Sequence, residues 1–118
     1  MDAGYGLTVR WSLADADESC AQKLRDYVVG TSIAKFMFLE GLAFKVWRMR
    51  EGEWFEGVYV FDSAKERDEF EEEFTVGAAK SPGSTIIGSG PAVIERYEVV
   101  AIAEGPAQFR RGPGPGTV

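Results

Sequence analysis

The stretch GLAFKVWRMREGEWFEGVYVF, residues 41 to 61, constrains the fold more than any other part of the chain. Two runs rich in aromatic and β-branched residues flank a short acidic turn, the pattern of two strands in a hairpin. Taking Glu51, Gly52 and Glu53 as a three-residue loop puts Gly52 where a left-handed backbone is needed. Arg50 then faces Trp54, Arg48 faces Glu56, and Trp47 faces Gly57. Arg48 with Glu56 is a favourable cross-strand pair, and Arg50 over Trp54 is a possible cation–π contact. A two-residue loop sets Trp47 against Glu56 and loses both. The three-residue register is therefore expected.

That register sorts the hairpin into two faces. One carries Ala43, Lys45, Trp47, Met49, Phe55, Gly57, Tyr59 and Phe61; the other carries Phe44, Val46, Arg48, Glu56, Val58 and Val60. Both are substantially apolar, and helices can cover only one of them. A bare sheet face of Phe and Val exceeds what a monomer usually tolerates. A second copy of the chain is the simplest cover, which predicts a homodimer with two sheets face to face, a dimeric α/β barrel.

The flanking segments complete the domain. GLTVRWSLA alternates with Leu7, Val9, Trp11 and Leu13 on one side, which predicts a first strand. DADESCAQKLRDYVV places Cys20, Leu24, Tyr27 and Val28 at helical spacing, with Asp15 and Glu18 as a box-like cap and Gly30 as a stop. TSIAKFMFLEG, residues 31 to 41, reads as a short helical piece running into a turn at Gly41. DSAKERDEF opens a further helix capped by Ser63 and Glu66, with Phe70 and Phe74 on its buried side. Residues 77 to 92 are rich in Gly, Ser and Pro and predict a loop with an irregular turn at Ile86 and Ile87. VIERYEVVAIA, residues 93 to 103, is the fourth strand. The order β-α-β-β-α-β is an α+β, ferredoxin-like arrangement: a four-stranded antiparallel sheet with both helices on one face. It occupies residues 1 to 104, and residues 105 to 118 form a Gly/Pro-rich tail that frays or lies over a partner.

Composition narrows the partners. A chain of 118 residues fits one domain, and 45% hydrophobic residues suffice for a core. Net charge is −6, which disfavours nucleic acid and anionic membrane, both of which need a basic footprint. The acidic run ERDEFEEEF, residues 66 to 74, is a solvated helix face or a patch for a basic partner. No apolar run approaches the ~20 residues that span a bilayer, and MDAGYGLTVRWSL lacks the basic start and apolar core of a signal peptide. The single cysteine, Cys20, allows no internal disulfide and fits a reducing cytosol. A cytoplasmic protein is expected.

The same face of the hairpin carries the chemistry. Trp47 opposite Gly57 leaves a niche beside a large ring, and with Tyr59, Phe61 and Trp11 it lines an aromatic pocket under the helices, or simply packs as core. Lys45 is the one charged residue on that face; its stem snorkels to the rim, or its ammonium meets an anionic ligand. The chain has no histidine, so a His-based triad is impossible and a zinc or iron site would need carboxylates alone. Cys20 lies on the helix stripe with no histidine to activate it and reads as core. GSGPAV and GPGPG neither follow a strand nor open a helix, so they are not phosphate cradles. No metal site and no flavin or nicotinamide motif is expected.

The run from Gly41 to Phe74 resembles the YdhR family of small monooxygenase-like proteins. G-x-x-x-KVW at 41 to 47, G-x-Y-x-F at 57 to 61, and the helix that follows carry the likeness. The resemblance implies the dimeric α/β barrel already argued from the register. It also implies cofactor-free oxidation of a small aromatic or polyketide-like molecule. Related quinone-forming monooxygenases use an Asn and a Trp near the end of the third strand, where Gly57 and Phe61 stand here. The polar work then falls to Lys45 and Tyr59 as candidate catalytic residues, with Trp11, Trp47, Gly57 and Phe61 as substrate-binding candidates. Two other classes stay open: a cyclase or isomerase on the same barrel, and a non-catalytic small-molecule-binding dimer.

Overall fold

The structure, a computed structural model, describes residues 4–114. The first three residues of the expected domain and the last four of the tail lie outside the described residues. Four strands form one antiparallel sheet: β1 Tyr5–Ser12, β2 Leu42–Arg50, β3 Trp54–Phe61 and β4 Val93–Glu98, in the order β2-β3-β1-β4. Helices α1 Cys20–Tyr27, α2 Ile33–Met37, α3 Ala64–Gly77 and α4 Pro82–Ile87 accompany them. The ferredoxin-like α+β fold is thus the observed one. Leu7, Val9, Trp11 and Leu13 are buried along the helix-covered face of β1, as their alternation requires.

The hairpin register is the one the turn predicts. Arg50 pairs with Trp54, Arg48 with Glu56 and Trp47 with Gly57, and Gly52 takes φ +75°. A bulge between Leu42 and Phe44 moves Ala43 out of the ladder, so Leu42 takes the inward place expected of Ala43. Arg50 does not stack on Trp54; it pairs with Glu53 at 3.1 Å. Arg10 and Arg48 lie over Trp54 instead, at 4.3 and 5.0 Å from the ring.

Four expectations about element ends are corrected. Helix α1 starts at Cys20, and no Asp15–Glu18 box forms; Asp17 instead accepts hydrogen bonds from the Ser19 backbone and hydroxyl. Gly30 does not stop the helix. A π-helical turn, Val28–Ser32, carries the chain into α2, with the Ile33 N–H bonded to Val28 O. The apolar stripe explains why: Leu24, Val28 and Phe36 keep one side of the continuing helix facing the sheet. Most of the loop expected at residues 77 to 92 is helical, and residues 88 to 92 are irregular. A 3₁₀ turn, Ala78–Lys80, leads into α4, whose Ser81 cap accepts from Ser84 N–H, with Pro82 in the first turn and Gly88 at the end. Strand β4 ends at Glu98 rather than residue 103. Helix α3 follows expectation: Ser63 Oγ accepts from Glu66 N–H at 3.1 Å and lies 3.0 Å from Glu66 Oε1. Its acidic face is partly engaged within the chain, since Arg96 reaches Asp68, Glu71 and Glu72 at 3.4, 3.5 and 3.7 Å.

The outward sheet face has a polar centre and an apolar end. Glu56 is only 4% exposed. Its carboxylate accepts from Thr8, Arg10 and Arg48, at 2.5, 3.3 and 2.5 Å. Beside it Val46 and Val58 pair across the strands, with Val46 45% exposed. The tail does not simply fray: Phe109 lies against Phe44, ring centroids 5.7 Å apart. Among the described residues no helix is long and apolar enough to cross a membrane.

Burial pushes the Glu56 carboxyl up, but the bonds from Thr8, Arg10 and Arg48 outweigh it and hold the group below its ordinary value of 4.5. A carboxyl depressed on folding stabilises above its unfolded pKa and loses that contribution as pH falls through the folded one. Glu56→Gln is therefore expected to cost about 1–3 kcal/mol near neutrality. The difference from wild type should shrink progressively below the ordinary value of 4.5. Urea melts across that pH range check it; a pH-independent difference would contradict the assignment.

Candidate functional site

Between the sheet and the helices lies a cavity of about 340 Å³. Its floor comes from β1, β2 and β3 through Trp11, Lys45, Trp47, Phe55, Gly57 and Tyr59, and its walls from the helices, including Leu24, Tyr27, Ser32, Phe36, Phe70 and Phe74. Five of the six residues picked out from the sequence line it: Lys45, Tyr59, Trp11, Trp47 and Gly57. Phe61 does not. It is 1% exposed and lies beneath, packed on Tyr59 and Phe70 at 6.2 and 5.6 Å, because it is one inward position further from the cavity than Tyr59.

The niche expected at Gly57 exists, but the chain's own side chains fill it. A Cβ at position 57 would stand 3.0 Å from Lys45 Cε, 3.2 Å from Tyr59 Cε1 and 3.4 Å from the Tyr59 hydroxyl. Glycine here makes room for Lys45 and Tyr59 to share one spot on the sheet. Lys45 is consequently half-buried, with its amine turned to the rings rather than stretched to the rim. Its Nζ lies 3.5 Å from the Phe36 ring centroid, 4.3 Å from Tyr59 and 4.4 Å from Trp47. Among the described residues it makes no hydrogen bond or ion pair. Phe36 is the hub of this cage, edge-on to Trp47, Tyr59 and Phe70 at 5.8, 5.6 and 6.0 Å.

Two titrations are strongly displaced. Burial pulls the Lys45 ammonium well below the ordinary lysine value, and the Lys35 charge nearby adds to this. Burial, then Tyr27, pushes the Tyr59 phenol well above its usual range, so it stays protonated. Trp11 has no free donor: its Nε1–H is bonded to Ser84 Oγ at 3.0 Å, and Ser84 donates to Ala78 O at 2.6 Å. That bond ties α4 to the sheet and closes one end of the cavity. Cys20 is buried core, and burial pushes its thiol up.

The sequence reading missed Phe36, Ser32, Tyr27, Lys35 and Glu73, all of which line the cavity. Phe36 and Ser32 were legible only if the helix was carried past Gly30, since four-residue spacing from Leu24 through Val28 leads to both. The π turn between them hides that continuity. Lys35 and Glu73 are exposed residues at the cavity. No local signal marks them.

Neither a protein-family model nor a curated protein sequence matches the chain. Solved structures do share its fold. A protein of unknown function from Nitrosomonas europaea, NE2512, aligns with TM-score 0.65 and 18% identity over 86% of this chain and 94% of that one. The monooxygenase ActVA-Orf6 of Streptomyces coelicolor, solved with nanaomycin D, aligns with TM-score 0.62 and 12% identity over 86% and 92%. The ferredoxin-like α+β fold is therefore one that this chain shares with both proteins.

The cavity should report aromatic ligands directly, because Trp47 and Trp11 both line it. A naphthol probe is expected to quench tryptophan fluorescence saturably, and Trp47→Ala to weaken binding roughly tenfold, the scale of one lost aromatic contact of about 1.5 kcal/mol. Unchanged affinity in Trp47→Ala would place the probe elsewhere.

Proposed function

We propose that the protein is a cofactor-independent monooxygenase that oxidises a small electron-rich phenol or enol in the cavity above Gly57. One observation carries the reading: an unpaired amine, Lys45, held in a ring-walled cavity beside a protonated phenol, Tyr59. An oxygenase without a redox cofactor must take its electrons from the substrate, which has to become an anion first. Lys45, its pKa lowered, is available as the neutral amine to accept the substrate's hydroxyl or enol proton. The product is an anion beside an ammonium already surrounded by ring faces, in a place with little water to compete. The anion passes an electron to oxygen, the radicals combine at carbon, and the hydroperoxide loses water. One oxygen atom ends in the quinone and the other in water. Tyr59 donates a hydrogen bond to the developing peroxide. Trp47 and Trp11 stack the substrate, Gly57 leaves the room, and Phe61 supports Tyr59 from below.

Membership of the YdhR-like family is part of this proposal, as is action in the cytosol, where a lone buried thiol stays reduced. A second reading keeps the same base but no oxygen: a cyclase or isomerase, favoured by Gly57 and Phe61 standing where quinone-forming relatives carry Asn and Trp. The test uses hydroxylated anthrones and naphthols with and without oxygen. Oxygen-dependent quinone formation above the spontaneous rate is expected. Lys45→Met should lower it by roughly 10²- to 10⁴-fold, the usual scale of general base catalysis, and Tyr59→Phe by less. The rate should rise with pH to a plateau reached below the ordinary lysine pKa of 10.5, because the active form is the neutral amine. Equal turnover under nitrogen would establish the cyclase reading. No turnover would leave a binding protein.

The outward sheet face supports a homodimer. Val46 and Val58 form an apolar pair beside Phe44, against which Phe109 packs, and Val46 stays exposed. Val58→Asp puts a charge in the middle of that face and is expected to give monomers in sedimentation at micromolar concentration, where wild type runs as a dimer. A monomeric wild type would remove this part of the proposal.

A further inference from the structure

We infer that Lys45 is an amine nucleophile that forms an imine with the carbonyl of an aromatic aldehyde or ketone held in the cavity. The chain has five lysines, and Lys23, Lys35, Lys65 and Lys80 are exposed. An ordinary lysine amine is largely protonated at neutral pH and attacks carbonyls only slowly. Lys45 alone turns its amine to three rings, and among the described residues it makes no hydrogen bond or ion pair. The titratable groups that line the cavity with it are Tyr59 from β3, Lys35 from α2, Tyr27 from α1 and Glu73 from α3, the last without an ion pair to it. Apolar walls and a cationic neighbour are the two devices that make a lysine amine nucleophilic, and this site has both in its three rings and Lys35.

The cavity also suits each species along the way. Neutral Lys45 Nζ bonds to the carbonyl carbon while the carbonyl oxygen takes up a proton. That proton comes from the attacking nitrogen, with the Tyr59 hydroxyl available to hydrogen-bond the oxygen as it moves. Loss of water from the resulting carbinolamine carries off the oxygen with both amine hydrogens and leaves the C=N bond. No electrons are exchanged with an outside reagent. A proton taken up from solvent then makes the imine a cation, which the ring faces of Phe36, Trp47 and Tyr59 stabilise as they do not the neutral resting amine. Gly57 is again required, since Lys45 Cε and the Tyr59 hydroxyl both come within 3.4 Å of where its Cβ would stand. Imine formation needs neither oxygen nor a phenol, so it stands or falls independently of the oxygenase reading.

The test treats the full chain at pH 7, under nitrogen, with 2-hydroxy-1-naphthaldehyde and cyanoborohydride, and maps the reduced adducts by peptide mass spectrometry. Lys45 should be modified at least about tenfold faster than Lys23, Lys65 or Lys80, since each unit of lowered pKa raises the neutral fraction tenfold. Lys35→Met should slow labelling of Lys45 by removing the charge that opposes its ammonium, while the exposed lysines react as before. Lys45→Met should abolish the fast phase. Mapping in the wild type and Lys35→Met decides the matter even where Lys45→Met does not fold. Labelling spread evenly over the lysines, absent from Lys45, or unaffected by Lys35→Met would overturn the inference.

Discussion

The three-residue turn at Glu51, Gly52 and Glu53 fixes the alignment of β2 on β3, and the rest of the site depends on that alignment. Side chains alternate faces along a strand, so a slip of one residue would exchange the inner and outer sets. Lys45, Trp47 and Tyr59 would then meet the outside, and Arg48 and Glu56 would be driven under the helices. The turn is held by the Glu53 N–H bonded to Arg50 O at 2.9 Å and by Gly52 in the left-handed region. It is anchored from outside as well, where Arg25 of α1 pairs with Glu51 and Leu13 N–H bonds to Glu53 O. A local turn thus sets a long-range outcome: a ring, a lysine and a tyrosine gather round one missing Cβ.

The two faces treat buried charge in opposite ways. Outside, Glu56 is nearly sealed but receives hydrogen bonds from Thr8, Arg10 and Arg48, so its desolvation is offset. Inside, Lys45 receives none. Three ring faces favour a desolvated ammonium by about 2 kcal/mol or more each, a sum comparable to the several kcal/mol that an unpaired buried charge costs. Burial and the Lys35 charge then tip the group towards the neutral amine. A methionine of similar length would fill the same space at no such cost. The chain therefore carries a local instability in the one place where a ligand could relieve it, a pattern typical of functional sites.

The fold was legible because its signals are local and mutually consistent. Alternation in β1, the hairpin register and the Ser63–Glu66 cap each describe contacts within a few residues or directly across a turn. What was missed involves competition between local cues and tertiary packing. Gly30 looks like a stop, yet the sheet offers Phe36 a place that rewards continuing the helix, and a π turn absorbs the mismatch. The Gly/Ser/Pro composition of residues 77 to 92 hid a short helix whose start and end signals, Ser81–Pro82 and Gly88, were present all along. In the site, Lys45, Tyr59, Trp11, Trp47 and Gly57 followed from strand periodicity. Phe36 did not, because its role depends on a helix crossing over the sheet, and Phe61 was misplaced because periodicity gives the face but not the depth.

Under the proposed function, Gly57 stands where the resemblance sets the polar residue of quinone-forming monooxygenases, and this changes how the cavity handles charge. An amide fixed on the third strand can only donate to, or accept from, an anion formed by some other base. Lys45, admitted by Gly57, can take the proton itself. The cavity is then neutral before the transfer, with an amine and a hydroxyl, and neutral overall after it, with an ammonium and an anion in contact. No net charge is brought into a dry site at any stage, and the ring faces that are of little use to the resting amine become favourable once the ammonium forms. In the proposed reaction the same proton transfer that activates the substrate would supply Lys45 with the ionic partner it lacks. Its rate would then depend on the anion-forming state gaining more from Phe36, Trp47 and Tyr59 than the resting state does.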